Sequence, residues 1–183
     1  MLERRTPRLL LRPLGSGDED AFHRLLNDPH VRRYLCDDLP VSREMVQEHI
    51  AFSQRSFRER GFGLFSLFLV EQPETFIGFT GLGRIDDGEE VELWYGLAPE
   101  HWGRGLATEA AEAMLRFGFE QLGMEELWAG ADLDNAASFR VMERLGMTRV
   151  GERLVGPRHV RALYYRLTRG AAHLSNSAPC SRR

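Results

Sequence analysis

The stretch Leu97-Ala-Pro-Glu-His-Trp-Gly-Arg-Gly-Leu-Ala-Thr-Glu-Ala110 carries the chain from a strand into a helix through two glycines. Gly103 and Gly105 permit backbone conformations that a residue with a Cβ resists. Gly105 and Ala107 also leave room for a ligand to approach the main chain. The first turn of the following helix has N–H groups without internal partners, and its dipole adds partial positive charge. Such a place suits a pyrophosphate. The spacing is neither the Gly-x-Gly-x-x-Gly of a dinucleotide fold nor the Gly-Lys-Ser/Thr of a P-loop. On spacing alone, a turn whose glycines only solve a packing problem stays open beside the anion site.

Upstream of that turn, Gly63–Val70, Phe76–Leu82 and Val91–Leu97 are dense apolar runs. Gln72-Pro73-Glu74 and Asp86-Asp87-Gly88 supply turn chemistry between them, which predicts antiparallel strands joined by hairpins. Downstream, the periodicity predicts a helix from about Ala107 to Leu122 and a strand over Leu127–Leu133. A helix over Asn135–Leu145 follows, then strands over Thr148–Leu154 and Val160–Leu167, with Gly123 and Gly146 closing the two helices. At the N-terminus, Leu9–Arg12 reads as a strand. Ser16 and Glu19 have capping-box spacing before a helix that Asp28-Pro29 stops, with Arg32, Arg33 and Tyr34 in the loop after it. Ser42 opens a second helix that Gly61 ends. From Gly170 onward the chain is small, polar and aperiodic, and is expected to be a disordered tail. The expected fold is one α+β domain over residues 1–169, with a mixed, mostly antiparallel central sheet flanked by helices, followed by the tail 170–183.

The chain has 183 residues, 43% apolar and 28% charged, with a formal net charge of −3. These values fit one globular domain and give no basic excess for a nucleic-acid surface. Its two cysteines, Cys36 and Cys180, are too few for a disulfide framework, which favours a reducing, cytoplasmic setting. The apolar run Leu9–Leu11 is too short for a signal segment, and nothing approaches the roughly 20 apolar residues of a membrane span. No His or Cys spacing suggests a metal.

The turn sequence resembles the acetyl-CoA-binding motif of the GNAT acetyltransferases, in particular their RimJ/RimL-like branch. The superfamily motif Gln/Arg-x-x-Gly-x-Gly/Ala ends here on Gly105 and Ala107, and Trp102 holds its first place, a substitution common in that branch. Thr6-Pro-Arg-Leu-Leu-Leu-Arg12 is similar to the branch's opening strand, and Asn27-Asp-Pro-His-Val31 to the end of its first helix. Asn135-Ala-Ala-Ser-Phe-Arg-Val-Met-Glu-Arg-Leu-Gly-Met147 resembles the helix lining the cofactor's pantetheine arm. The resemblance spans roughly residues 6 to 168. It implies acetyl-CoA as donor, with its phosphates held at Trp102, Gly103, Arg104, Gly105, Leu106, Ala107 and Thr108. It further implies Asn135 on the pantetheine amides and a backbone N–H near Leu97 for the oxyanion. Met142 stands where many members carry a tyrosine acid, so that chemistry is excluded at this position.

Making an amide from a thioester and an amine requires a neutral amine, a stabilised oxyanion and a proton for the thiolate. Strand alternation puts Glu92 on one face with Trp94 and Gly96. Partial burial there raises a carboxylate's pKa and makes it a better base, and the resemblance gives a glutamate at this position that role. The alternative is that Glu92 faces solvent or orients a neighbour. Ser138, one helical turn after Asn135, is the candidate acid for the thiolate; the alternative is a small residue that lets the helix pack closely. Likewise, Asn135 fits a helix N-cap as well as a pantetheine contact. The expected activity is acetyl transfer to a primary amine, on a protein N-terminus or a small molecule, by direct attack in a ternary complex. A non-catalytic acyl-CoA sensor would keep the turn and Asn135 without needing Glu92 or Ser138. No nucleic-acid or membrane partner is expected, and a homodimer is compatible with the sequence.

Overall fold

The computed structural model describes residues 3–85, 88–155 and 158–172. A short strand β1 (Arg4–Arg5) and β2 (Leu9–Pro13) precede three helices: α1 (Glu19–Asn27), α2 (Pro29–Leu35) and α3 (Arg43–Arg60). Strands β3 (Leu64–Leu69), β4 (Gln72–Arg84) and β5 (Val91–Leu97) lead into α4 (Leu106–Arg116). Then come β6 (Glu126–Asp132), α5 (Ala136–Arg144), β7 (Thr148–Val155) and β8 (Val160–Thr168). The strands form one sheet in the order β1-β2-β3-β4-β5-β6-β8-β7, antiparallel except where β5 and β6 run parallel. This is the mixed, helix-flanked α+β sheet expected.

Each face of the sheet has its own helices. Leu106, Ala110, Ala111, Met114 and Leu115 of α4 pack on Leu93, Leu97, Leu127 and Ala129. The other face packs Phe22, Leu25 and Leu26 of α1, Val31 of α2, and Val46 and Ile50 of α3 around Leu64 and Phe79. A widened turn, Phe117–Gln121, continues α4 and buries both Phe117 and Phe119.

Several local signals resolve differently in the fold. Asp28-Pro29 stops α1 but also starts α2: the Asp28 carboxylate accepts the His30 and Val31 N–H groups at 2.9 and 3.3 Å, with Pro29 at the first helical position. Arg32, Arg33 and Tyr34 therefore sit on a helix, not in a loop. The Ser16/Glu19 box does not form. Instead, Asp18 accepts the Gly15 N–H at 3.1 Å and the Ser66 hydroxyl at 2.7 Å, tying the α1 entry to β3. Gln72-Pro73-Glu74 is the start of β4 and not a turn. A single helical turn over Arg169–Ala171 spans the expected boundary between domain and tail at Gly170; residues 173–183, with Cys180, lie outside the described residues, as do Asp86 and Asp87. Ser42 and Gly61 do bound α3, the first capping the Met45 N–H at 3.2 Å and the second at φ +81°.

Candidate active site

The β5–β6 seam is where the sheet opens. β4 and β5 pair over seven rungs, but β5 and β6 meet at one, Glu92 opposite Trp128. Beyond it the two strands diverge and leave a gap. A cleft of about 240 Å³ occupies this gap and is lined from both faces of the sheet: His30, Val31, Tyr34 and Leu35 of α2 on one side, Leu106, Ala107, Thr108, Ser138 and Val141 of α4 and α5 on the other. The cleft thus connects the helical turn with the α2 side of the sheet.

The turn has the conformation its glycines permit. Gly103 and Gly105 have φ of +70° and +73°, in the left-handed region. Gly105 is the N-cap of α4 and supplies no side-chain cap, so the N–H groups of the first turn point into the cleft without a capping partner. Trp102 is 46% exposed, yet its indole N–H donates to the Leu97 carbonyl at 2.7 Å and pins the turn to the end of β5. Arg104 is exposed, with its guanidinium 3.3 Å from His101 Nδ1. Of the expected cofactor residues, Leu97, Trp102, Gly103, Gly105, Leu106, Ala107, Thr108 and Asn135 line the cleft; the Arg104 side chain does not.

The direction of the Leu97 amide follows from the ladder. Ala98 N–H donates to Ile77 O at 2.9 Å, and Leu97 is paired with Gly78. Bonded and non-bonded pairs alternate in an antiparallel ladder. Leu97 is therefore a non-bonded pair, and its N–H is directed away from β4, towards the gap.

Asn135 does cap α5, its Oδ1 accepting the Ser138 N–H at 3.1 Å. Asn135 also lines the cleft. Asn135→Ala is expected to cost about 1 kcal/mol of stability, ~2–4 °C in Tm for a domain of this size. Asn135→Asp keeps the cap, removes the amide donor and adds a negative charge. It is expected to raise the KM for acetyl-CoA with Tm retained; melting curves and initial rates separate the two effects. Met142 is fully buried, as a core residue and not a site residue.

Glu92 faces the α1–α3 side of the sheet and does not line the cleft. Its Oε2 accepts the Trp94 indole N–H at 2.8 Å. Burial pushes its pKa above the ordinary carboxylate range, while the Trp94 indole, the Gly130 N–H, the Tyr164 hydroxyl and the Arg153 charge pull the other way. Arg153 is fixed over the Trp128 and Tyr164 rings at 4.5 and 4.7 Å and pairs with Glu90 at 2.5 and 3.0 Å. Glu92 is thus partly buried, and its carboxylate is held against the Trp94 indole.

The sequence alone does not single out Tyr95. Its place with Leu93 and Leu97 on the apolar face reads as core, but its hydroxyl lies in the cleft and donates to the Ser138 carbonyl at 3.4 Å. Burial pushes its pKa up to about 12, so it stays a donor. The usable signal was that a buried tyrosine hydroxyl needs a partner.

Comparison with known proteins agrees with this geometry. The family model described as an acetyltransferase (GNAT) domain matches residues 8–148. The protein YkkB of Bacillus subtilis (strain 168) is 36% identical over 147 residues, covering 78% of this chain and 83% of that protein. A spermidine N(1)-acetyltransferase of Escherichia coli (strain K12) is 28% identical, covering 78% and 74%. The crystal structure of an acetyltransferase from Agrobacterium tumefaciens superposes with a TM-score of 0.78 at 29% identity, covering 91% and 94%. The open β5–β6 seam, the uncapped glycine turn and the amide of Asn135 suit the phosphates and amide-rich arm of acetyl-CoA, and the chain belongs to the GNAT acetyltransferase family as an acetyl-CoA-dependent N-acetyltransferase.

Proposed function

We propose that this enzyme, a RimJ/RimL-like cytoplasmic member of the family, acetylates a primary amine by direct attack in a ternary complex. The observation that carries the reading is the single cleft lined from both faces of the sheet, which lets donor and acceptor enter from opposite sides. The thioester supplies an activated acetyl group; the chain supplies orientation and proton handling. The α4 N-terminus and Asn135 Nδ2 hold the donor. The Leu97 N–H faces the carbonyl oxygen as it gains charge. Glu92 takes the amine proton, and because it is five residues or about 16 Å of strand from Leu97, the proton travels through water. Ser138, with Tyr95 beside it, donates towards the leaving sulfur. The C–N bond forms, the C–S bond breaks, and the thiol leaves protonated.

The acceptor is a protein N-terminal amine or a small-molecule amine, and one group of residues favours a small cationic one. Asp132, at the gap end of β6, has its pKa pushed up to about 6 by burial and by the nearby Asp37 and Asp134. Arg33 of α2 pairs with Asp134, which leaves Asp132 as the carboxylate under strain from its neighbours. A second positive charge on the acceptor relieves that repulsion. The Escherichia coli relative named for spermidine agrees with this choice. A panel of N-terminal peptides, monoamines and polyamines tests it by release of free thiol. We expect polyamines to give the highest kcat/KM, and their KM to fall as pH rises through about 6, where Asp132 gains its charge. Asp132→Asn is expected to flatten that dependence. Preference for an uncharged-body peptide would overturn the choice of acceptor but not the transfer reaction.

A further inference from the structure

The connection between β1 and β2 contains Thr6 and Arg8, and α4 contains Glu109, about a hundred residues later. The fold brings them together directly behind the glycine turn. The Glu109 carboxylate is only 15% exposed and accepts three donors: Thr6 Oγ1 at 2.5 Å, Arg8 N at 2.9 Å and Arg8 Nε at 2.6 Å. A second arm of the same guanidinium, Nη1, donates to the Arg104 carbonyl at 2.8 Å. Its Nη2 lies 3.6 Å from where a Cβ would stand on Gly105.

Two consequences follow. In a trans peptide the C=O and the next N–H point in opposite directions. Holding the Arg104 carbonyl back towards Arg8 therefore turns the Gly105 N–H the other way, towards the cleft that Gly105 lines. The second is electrostatic. Glu109 is an acidic residue in the first turn of α4, the end at which a dianionic pyrophosphate is to be held. Its charge suits the helix dipole but repels the ligand. Arg8 pairs with it and removes the repulsion.

We propose that Arg8, with Glu109 and Thr6 as its support, is a positioning residue for the cofactor's phosphates, aiming the Gly105 amide at them and cancelling the Glu109 charge beside them. It neither lines the cleft nor touches the reacting atoms. The inference rests on the glycine turn being the phosphate site.

The test compares two acetyl donors on the full chain: acetyl-CoA, and S-acetylpantetheine, which has the same thioester and arm but no pyrophosphate. For Arg8→Gln we expect kcat/KM with acetyl-CoA to fall about tenfold, the scale of one charge-assisted hydrogen bond, through KM with kcat nearly unchanged. Turnover of S-acetylpantetheine is expected to be unaltered. Arg8→Lys keeps the charge but cannot hold both Glu109 and the Arg104 carbonyl, and is expected to fall between wild type and Arg8→Gln; it also serves as the test should Arg8→Gln fail to fold. An equal loss with both donors, or none with either, overturns the proposal. If Gly105→Trp also leaves acetyl-CoA binding intact, the phosphate site itself is misplaced; if Gly105→Trp weakens binding and Arg8→Gln does not, only the role of Arg8 falls.

Discussion

Gly105→Trp is expected to weaken acetyl-CoA binding by about 100-fold, close to 3 kcal/mol, with the fold intact. At φ +73° any side chain is strained, by roughly 1–2 kcal/mol. The space around a Cβ at this position is otherwise open, with the Arg8 guanidinium at 3.6 Å as its nearest neighbour. The indole therefore meets no core atom but crowds the Arg8 side of the strained turn, and so displaces the first N–H groups of α4 from the cleft that Gly105 lines. Gly105→Ala is the control, since it carries the same backbone strain with a single methyl. It is expected to lose stability comparable to the tryptophan variant but only a few-fold in affinity. Calorimetric titration with acetyl-CoA measures both. Wild-type affinity in the tryptophan variant would move the pyrophosphate to another part of the molecule.

The second large effect concerns Glu92. We expect Glu92→Gln to lower kcat by about 100-fold, the lower range for loss of a general base. The size of the loss depends on pH in a defined direction. Burial raises the Glu92 pKa above that of a free carboxylate, so wild-type activity falls as pH drops through that raised value and the base is protonated. Towards the acceptor's own pKa the amine is increasingly neutral without help, and the variant's deficit shrinks. Between those limits the base is needed and available, and there the deficit is greatest. In the glutamine variant the acid limb disappears. Trp94→Phe gives an independent check: it removes the 2.8 Å indole donor that stabilises the carboxylate, raises the Glu92 pKa further, and shifts the acid limb to higher pH. A glutamine variant with an unchanged pH–rate profile would take Glu92 out of the proton path.

The parts of this site that were legible in the sequence are those built from neighbours in the chain. The glycine turn, the alternation of β5 and the Asn135 cap each depend on fewer than a dozen consecutive residues, and each took its expected form. What escaped was of two kinds. Some signals point both ways: Asp28-Pro29 is chemistry for ending one helix and for beginning another, and only packing of Val31 against the α1 cluster chooses. Asp18 likewise had a local partner in Gly15 and a distant one in Ser66, and that pair displaced the Ser16/Glu19 box. The other kind is non-local by nature. No spacing links Arg8 to Glu109, and no periodicity tells a core tyrosine from one whose hydroxyl enters a cleft. Tyr95 and Arg8 become visible only when the sheet order places β2 beside β3 and β5 beside a diverging β6.

That single rung between β5 and β6 has a mechanical meaning. The sheet is two plates, strands β1 to β5 and strands β6 to β8, riveted at Glu92 and Trp128 and bridged by α4. A molecule wedged in the gap touches both plates and replaces the missing rungs between them. Part of what it gains on binding is spent holding the plates at a fixed angle, so donor binding and resistance to unfolding are linked in this fold. The residue chosen for the rivet is also the proposed base. Any splaying of the plates therefore bears directly on the carboxylate proposed to handle the proton.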